Sequence, residues 1–313
     1  MKKKATFIIP AYIKNEQYLG FLEQAIQGIM KQSDSDWNAI IIEDCSPYKR
    51  TRQIIEKYKM MDKRIDVIYL NERKTTGECR NLGIEWADKV GASYILFNDA
   101  DDISNSNRVR WVKETFDRYE NIDMIYSSPE IIDEFSKKKS YSQIPIPIQE
   151  IIDQLNSNPL FGKECWYEMG VRTGYINVTS TTSVRIELAK QCPFPKEVIS
   201  EDMHTWYRYS AIGELFFDNR WHCMYRIPSF AKRQSSASYV EDFAREKVRV
   251  DIQGFNQALD IVEESGKISK KQRTIIEVQF LLRLMESMEK DNRFDLVSSL
   301  IEICKQKALN IIL

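Results

Sequence analysis

The sequence has few histidines and cysteines, and it lacks the spacings that would turn them into metal sites. Its six cysteines include no C-x-x-C pair, which argues against structural zinc and provides no disulfide framework. With only His204 and His222, neither a histidine metal site nor a Ser-His triad is expected. The motifs G-x-x-x-x-G-K, G-x-G-x-x-G, G-x-S-x-G and H-E-x-x-H are absent, so the enzyme classes built on them are not indicated.

Excess charge and long apolar runs are also missing. The net charge is -1 and the pI about 6.3, so no nucleic-acid partner is expected. No stretch approaches the roughly 18 apolar residues of a membrane span, and no apolar signal region precedes Phe7. Hydrophobic residues make up 43% of the chain, which is enough for a sizeable core. We therefore expect a folded cytoplasmic protein.

Short apolar runs alternate with amphipathic stretches through the first 130 residues. This alternation predicts parallel strands joined by helical crossovers, hence an α/β fold. Helices are predicted near Leu19–Ile29, Arg50–Met61, Glu78–Val90 and Val109–Tyr119. The predicted strands are Thr6–Ile9, Ala39–Ile42, Asp66–Leu70, Tyr94–Phe97 and Asp123–Tyr126.

The pattern changes twice further along the chain. Between Ser128 and Thr182 it becomes irregular, and Ile144–Pro147 is expected to be extended, as part of a binding wall. From about Val240 three stretches with helical spacing predict a C-terminal helical appendage. We therefore predict a catalytic domain over 1–238 and an appendage over 239–313. The appendage is expected to stay out of the chemistry. Its surplus apolar residues indicate packing on the parent domain, self-association or peripheral membrane contact.

Three carboxylates follow the fourth predicted strand within four residues: Asp99, Asp101 and Asp102. In an open α/β sheet, ligands bind at the carboxyl ends of the strands. Like charges packed there repel one another, so the cluster favours a hard divalent cation, Mg²⁺ or Mn²⁺. The alternative is a solvated acidic turn, which would be the better interpretation of an isolated Asp-x-Asp.

Other polar groups follow neighbouring strands and are expected at the same edge. Pro10, Tyr12 and Asn15 follow the first strand, Asp44 follows the second, and Arg80 lies in the helix before the fourth. An aromatic ring, a carboxylate and an arginine suit the base and phosphates of a nucleoside diphosphate.

These motifs resemble those of the family-2 glycosyltransferases of GT-A fold. The resemblance covers about the first 235 residues, and five motifs in order carry it. They are Ile8-Ile9-Pro10-Ala11-Tyr12, Ile40-Ile41-Ile42-Glu43-Asp44-Cys45-Ser46, Gly77…Arg80-Asn81-Leu82-Gly83-Ile84, Asn98-Asp99-Ala100-Asp101-Asp102, and Glu201-Asp202…Trp206…Arg208 with Tyr225-Arg226. Two departures are Glu43 in place of the usual Asp and Cys45 in place of a common Gly.

The resemblance implies a role for each matching position. Tyr12 and Asp44 would hold uracil or another base with Arg80 nearby, Asp99 the ribose, and Asp101 the metal. Asp202 would be the base of an inverting transfer. Met203–Ala211 predicts a helix that Asp202 would also cap. Trp206 and Arg208 would lie at or behind the acceptor site. Lys232, Arg233 and Gln234 fall where the family has a mobile loop over the diphosphate and where many relatives place a His.

The resemblance therefore implies an enzyme that moves a sugar, most simply from a UDP-sugar, to a saccharide or lipid-linked saccharide in cell-surface polysaccharide synthesis. The expected location is cytoplasmic, including the inner face of the membrane. Two alternatives are a phosphatase of the haloacid dehalogenase type, with Asp99 as nucleophile, and a sugar-nucleotide-binding scaffold without turnover. The phosphatase normally carries its motif on the first strand, and the scaffold would need no Asp101 or Asp202.

Overall fold

The computed structural model describes residues 3–229 and 240–312, with side chains described as far as 309. These residues form nine strands and eleven α-helices. The strands are β1 (Ala5–Ala11), β2 (Trp37–Glu43), β3 (Ile65–Tyr69), β4 (Tyr94–Phe97), β5 (Ile122–Tyr126), β6 (Pro129–Ile132), β7 (Ser183–Arg185), β8 (Glu214–Phe217) and β9 (Cys223–Arg226). The helices are α1 (Glu16–Met30), α2 (Arg50–Met61), α3 (Thr76–Lys89), α4 (Arg108–Arg118), α5 (Ile146–Ser157), α6 (Cys165–Glu168), α7 (Ile186–Gln191), α8 (Glu201–Ile212), α9 (Phe243–Glu264), α10 (Lys270–Lys290) and α11 (Phe294–Ile312).

The main sheet has seven strands in the order β3-β2-β1-β4-β7-β5-β8. All neighbours run parallel except β7, which is antiparallel to both β4 and β5. A small parallel sheet pairs β6 with β9. The five strands and four helices predicted for the first 130 residues are therefore confirmed. Because β1 to β4 are parallel, their carboxyl ends meet at one edge of the sheet.

Both faces of the sheet are buried, which explains why its strands are almost continuously apolar. Successive side chains of a strand point to opposite faces, so Phe7 and Ile9 join one core cluster while Ile8 joins the other. Helices α1, α2 and α4 cover the first face, and α3, α8 and the C-terminal helices cover the second.

One prediction for the irregular region is wrong. Ile144–Pro147 is not an extended segment throughout, because α5 begins at Ile146. Pro145 stands at its N-cap and Pro147 in its first turn, where the missing amide donor costs no helical hydrogen bond. Prolines therefore start this helix where they were expected to prevent one.

The three C-terminal helices are confirmed, and they share a core with the α/β domain. Phe255 of α9 and Phe280 of α10 are buried against Tyr207 of α8. Gly254 lies so close to His204 that an added Cβ would come within 2.6 Å of its Cα. Packing on the parent domain therefore covers much of their apolar surface. The predicted boundary at 238/239 lies outside the described residues.

Within residues 3–229 and 240–312, no helix is long and apolar enough to span a membrane. Some large apolar side chains of α10 and α11 remain exposed, namely Ile275, Leu282, Phe294, Ile301, Ile303 and Leu309.

Candidate active site

The ends of β1 and β2 form one corner of the site. Asp44 follows β2 and is 4% exposed, and its Oδ1 accepts the backbone N–H of Lys74 at 2.7 Å. The Arg73 guanidinium lies 3.6 Å from the centre of the Tyr12 ring, and its Nε donates to Asp44 Oδ2 at 3.4 Å. Burial raises the pKa of Asp44, although Lys74 and Arg73 oppose the shift. An aromatic face and a buried carboxylate thus stand side by side.

Arg73 was missed by the sequence analysis. It lies four residues after β3, on the connection to α3, and no pattern there distinguishes it from a surface cation. The structure shows that its planar guanidinium occupies the space between the Tyr12 ring and Asp44. A flat, hydrogen-bonding group fits this corner.

Two other residues of this corner shape the backbone. Asn15 caps α1, because its Oδ1 accepts the N–H groups of Gln17 and Tyr18. Cys45 has a φ of 51°, in the left-handed region that favours glycine. Cys45 therefore adopts a backbone conformation that glycine, the residue common here in the family, would adopt with less strain. Pro10 lies within β1, opposite Ile42.

Hydrogen bonds with buried side chains hold the turn after β4. Buried Asn98 donates through Nδ2 to the carbonyls of Asp99 and Asp102, and the Asp99 N–H donates to Ser180 Oγ. Asp102 is fully buried, and its Oδ1 accepts the Arg226 N–H at 2.8 Å. The three clustered carboxylates therefore have different environments, and Asp102 supports the turn.

Asp101 differs from Asp99 and Asp102 in its contacts. No other described residue is hydrogen-bonded or ion-paired to its side chain. Burial and the nearby charge of Asp99 raise the pKa of Asp101 to about 6. In the part of the chain that the structure describes, no three Asp, Glu, His or Cys side chains converge as a metal site.

Arg80 joins the acidic turn to the start of α8. Its side chain is 3% exposed, and it donates to Asp99 Oδ1 at 2.9 Å and to Glu201 Oε1 at 2.7 Å. Burial alone would lower the pKa of Arg80, but the two carboxylates outweigh it and raise the pKa. The two terminal nitrogens of the guanidinium are thus each paired with a protein carboxylate.

Asp202 lies next to this ion-pair bridge. Its Oδ2 accepts the Thr179 hydroxyl at 3.2 Å and its Oδ1 accepts the Met203 N–H at 2.7 Å. Burial raises the pKa of Asp202, and Arg80 opposes that shift. Asp202 is not the helix cap: α8 begins at Glu201, and Ser200 occupies the cap position with a left-handed φ of 57°.

The remaining predicted residues on α8 lie behind Asp202. Trp206 is fully buried among the rings of Phe97, Phe194 and Tyr209, with centroids 5.5 to 5.9 Å apart. Arg208 is 8% exposed and donates to the Pro193 carbonyl at 2.9 Å. Both residues fix the helix that carries the carboxylate. Arg233 lies outside the described residues, as do Lys232 and Gln234.

A mostly parallel sheet that ends in an acidic turn, with the half-buried carboxylate of Asp202 on α8, agrees with a glycosyltransferase of GT-A fold. Residues 6–181 match the sequence model of glycosyl transferase family 2, which covers more than half of the chain. The protein therefore belongs to glycosyl transferase family 2. This result decides against the phosphatase alternative.

Two relatives are glycosyltransferases by name. A putative teichuronic acid biosynthesis glycosyltransferase of Bacillus subtilis is 30% identical over 117 residues, or 37% of this chain and 40% of that protein. The chain thus matches less than half of that relative's length. An uncharacterized glycosyltransferase of Methanocaldococcus jannaschii is 27% identical over 249 residues, 76% of this chain and 78% of the other.

Solved structures share the fold. The S. aureus TarS fragment 1-349 in complex with UDP has a TM-score of 0.57 at 16% identity, covering 97% of this chain and 91% of that one. A mannosyltransferase from Pyrobaculum calidifontis, in complex with GDP-Man and Mn²⁺, has a TM-score of 0.53 at 12% identity, covering 97% and 84%. The likeness extends over the C-terminal helices as well as the sheet.

Proposed function

We propose that the protein transfers a sugar from a UDP-sugar to an acceptor hydroxyl, with a divalent cation and with inversion at the anomeric carbon. The observation that carries this proposal is the Arg80 bridge from Asp99, in the acidic turn, to Glu201, the residue before Asp202. The bridge fixes the turn that would hold the diphosphate relative to the carboxylate that would receive the acceptor proton. Arg80 is then a positioning residue.

The corner formed by Tyr12 and Asp44 would bind the base. The base would take the place that the Arg73 guanidinium now holds, stacked on the Tyr12 ring and donating a ring N–H to the buried Asp44 carboxylate. Pro10 and Asn15 would shape the loop beneath them, and Asp99 would reach the ribose. UDP is favoured because the TarS fragment 1-349 of similar fold was crystallised with it.

The acidic turn fits a hard divalent cation, Mn²⁺ or Mg²⁺. Asp101 provides an oxygen ligand that no other described residue uses, beside a second carboxylate on Asp99. Mg²⁺ commonly binds through one or two carboxylates and completes its shell with phosphate oxygens and water. A site with few protein ligands therefore agrees with an ion that binds together with the donor. When bound, the ion would neutralise charge on the departing diphosphate.

Asp202 would act as the general base. The acceptor oxygen forms its bond to the anomeric carbon as the bond from that carbon to the diphosphate oxygen breaks. The electron pair leaves with the diphosphate, and the acceptor proton moves to Asp202. Its buried position raises its pKa, which makes the carboxylate a stronger base than an exposed one. A single displacement of this kind inverts the anomeric centre.

The acceptor is proposed to be a saccharide or a lipid-linked saccharide. The Bacillus subtilis relative is named for teichuronic acid biosynthesis, which supports a role in cell-surface polysaccharide synthesis. A cytoplasmic location at the inner face of the membrane fits such an acceptor. The apolar residues left exposed on α10 and α11 are available for membrane contact or for a second subunit.

Calorimetric titration of UDP with Mn²⁺, and again with chelator, tests donor and metal together. We expect binding with Mn²⁺ and much weaker binding with chelator, and Asp101→Asn should reduce the difference. Equal affinity under both conditions contradicts the metal assignment. A panel of sugar nucleotides, scored by metal-dependent UDP release in the presence of lipid-linked saccharides, then identifies the donor.

A further inference from the structure

A chain of hydrogen bonds connects Asp202 to α9, a helix that sequence reasoning left outside the chemistry. Tyr175 Oη lies 2.5 Å from Ser200 Oγ and 3.5 Å from Asp202 Oδ1. Ser200 Oγ in turn donates to Asp251 Oδ1 at 2.6 Å. Asp251 is 1% exposed and is paired with Lys247. A buried carboxylate on α9 is therefore two hydroxyl groups away from the proposed base.

The number of hydroxyl hydrogens decides which group donates in each of these hydrogen bonds. A carboxylate paired with a lysine only accepts, so the one hydroxyl hydrogen of Ser200 points to Asp251. The Ser200 oxygen then accepts the one hydroxyl hydrogen of Tyr175. At 3.5 Å, the contact with Asp202 is too long to compete with this bond. Tyr175 thus presents its oxygen lone pairs, and no hydrogen, to Asp202.

We propose that Asp251 and Ser200 act as positioning residues that turn the Tyr175 hydroxyl away from Asp202. The inference rests on the proposed role of Asp202 as the base. In this arrangement the ionised carboxylate receives no hydrogen bond from Tyr175, whereas the protonated carboxyl can donate one to the Tyr175 oxygen. The network therefore favours the state that follows proton transfer from the acceptor.

Other groups also act on Asp202, and all of them except Asp251 are shared by every variant below. Thr179 and the Met203 N–H stabilise its ionised form directly. The charged or titratable groups that face this region are Arg80 from α3, Glu201 from α8, Asp99 after β4, Tyr225 from β9, and Lys247 and Asp251 from α9. When Ser200 is altered, Asp251 loses the Ser200 hydrogen bond, and among the described groups next to Asp202 it is the Tyr175 hydroxyl that changes its partner.

Ser200→Gly tests the direction of the chain. Glycine suits the left-handed backbone at this position, and the serine side chain makes no capping hydrogen bond to α8. Without Ser200 Oγ, the Tyr175 hydroxyl should turn and donate to Asp202, which stabilises the ionised carboxylate. We expect the acid limb of the kcat/KM profile to move down by about one pH unit and kcat to fall about three- to tenfold.

Tyr175→Phe is the matched background, because it removes the hydroxyl that would turn. In that background, Ser200→Gly should leave the acid limb where Tyr175→Phe alone has it. Asp251→Ala provides a second route from the far end of the chain. It frees Ser200 to donate to Tyr175, and it also removes a buried charge in either background, so it should move the acid limb further in the wild type than in Tyr175→Phe. Circular dichroism checks that each variant is folded.

The outcomes separate this inference from the proposed function. If Ser200→Gly and Asp251→Ala leave the acid limb unchanged, or move it equally in both backgrounds, the network does not act through Tyr175 and the inference is overturned. If Asp202→Asn keeps near-normal turnover, the base itself is misassigned, and the proposed mechanism fails first. If Asp202→Asn is inactive and Ser200→Gly leaves the acid limb unshifted, only the proposed role of the network fails, and Asp202 keeps its role as the base.

Discussion

The donor edge and the base side of this site are built in different ways. At the donor edge, Tyr12, Asp44 and Asp101 each lie within four residues of a strand end. On the base side, Asp202 lies in the first turn of α8, and its neighbours come from three distant stretches around residues 80, 177 and 251. The donor edge is thus local in sequence, whereas the base side depends on tertiary packing.

This difference predicts that the two sides respond differently to mutation. Donor-edge side chains contact the nucleotide, which is bound in both the ground state and the transition state, so their loss should weaken binding. The base acts only as the reaction proceeds, so its loss should lower turnover. The predictions below are ordered by the size of the expected effect.

Asp202→Asn should have the largest effect. Removing a general base costs about 10²- to 10⁴-fold in turnover, while UDP affinity should stay near that of the wild type because the amide keeps the size of the side chain. Steady-state kinetics and UDP calorimetry on the same preparation measure both quantities. A comparable loss of donor affinity would place Asp202 at the donor edge, and the proposed difference between the donor edge and the base side would then fail.

Arg80→Met should damage both sides together. The change leaves the Glu201 carboxylate, whose side chain is 12% exposed, without its partner. Breaking a buried pair in this way costs about 3–5 kcal/mol of unfolding free energy. Arg80→Lys is the matched control: it keeps the charge, but a single ammonium cannot match the two-sided guanidinium contact, so it should recover part of the loss. Urea unfolding compares the three proteins, and an unchanged stability of Arg80→Met would contradict the bridge.

Tyr12→Ala and Asp44→Ala should weaken UDP binding by about 1–3 kcal/mol each, the usual cost of a lost stack or charged hydrogen bond. The turnover of enzyme saturated with donor should change little. Calorimetry and kinetics at saturating donor separate the two effects. Variants that lose turnover with unchanged UDP affinity would show that this corner does not bind the base.

His204, on the base side, should make stability depend on pH. It is 1% exposed, neither ring nitrogen has a partner among the described residues, and burial lowers the pKa of His204 to about 3. Above its unfolded pKa of about 6.5 the ring is neutral in both states. Below that value only the unfolded chain takes up the proton, so stability falls as pH drops towards 3.

The expected loss from His204 between pH 7.5 and pH 5.5 is about 1.4 kcal/mol. His204→Leu removes the titrating ring at similar volume and should lack this component. Urea unfolding at the two pH values measures the unfolding free energy that each protein loses, and the two losses are then compared. Equal pH dependence in the two proteins would mean that the His204 ring takes up its proton as readily in the folded state as in the unfolded state.

The sequence predicted the donor edge well because its signals are short-range. The strand that ends at Phe97 was predicted to the residue, and three carboxylates within the next five positions marked the ligand edge. Arg73 escaped prediction because its position depends on where the connection after β3 folds back. That path is set by Asp44 accepting the Lys74 N–H, a contact that no local pattern encodes.

The base side was predicted only as far as the motif that contains Asp202. The start of α8 was predicted two residues too late because Ser200 adopts a left-handed conformation that is unusual for serine. Tyr175 and Thr179 approach Asp202 directly and Asp251 is linked to it through Ser200 and Tyr175, so these groups come from segments separated by up to 76 positions in the chain. Asp251 comes near through packing between α8 and α9, whose periodicity indicated helices but not their partner.

The anomeric configuration of the product tests the central claim most directly, because a single displacement assisted by one base can give only one outcome. The donor identified by the sugar-nucleotide panel is turned over with its acceptor, and the new linkage is assigned by proton NMR from its anomeric coupling and chemical shift. The account predicts a linkage inverted relative to the donor, formed by the wild type and lost in Asp202→Asn. A linkage with retained configuration would contradict it.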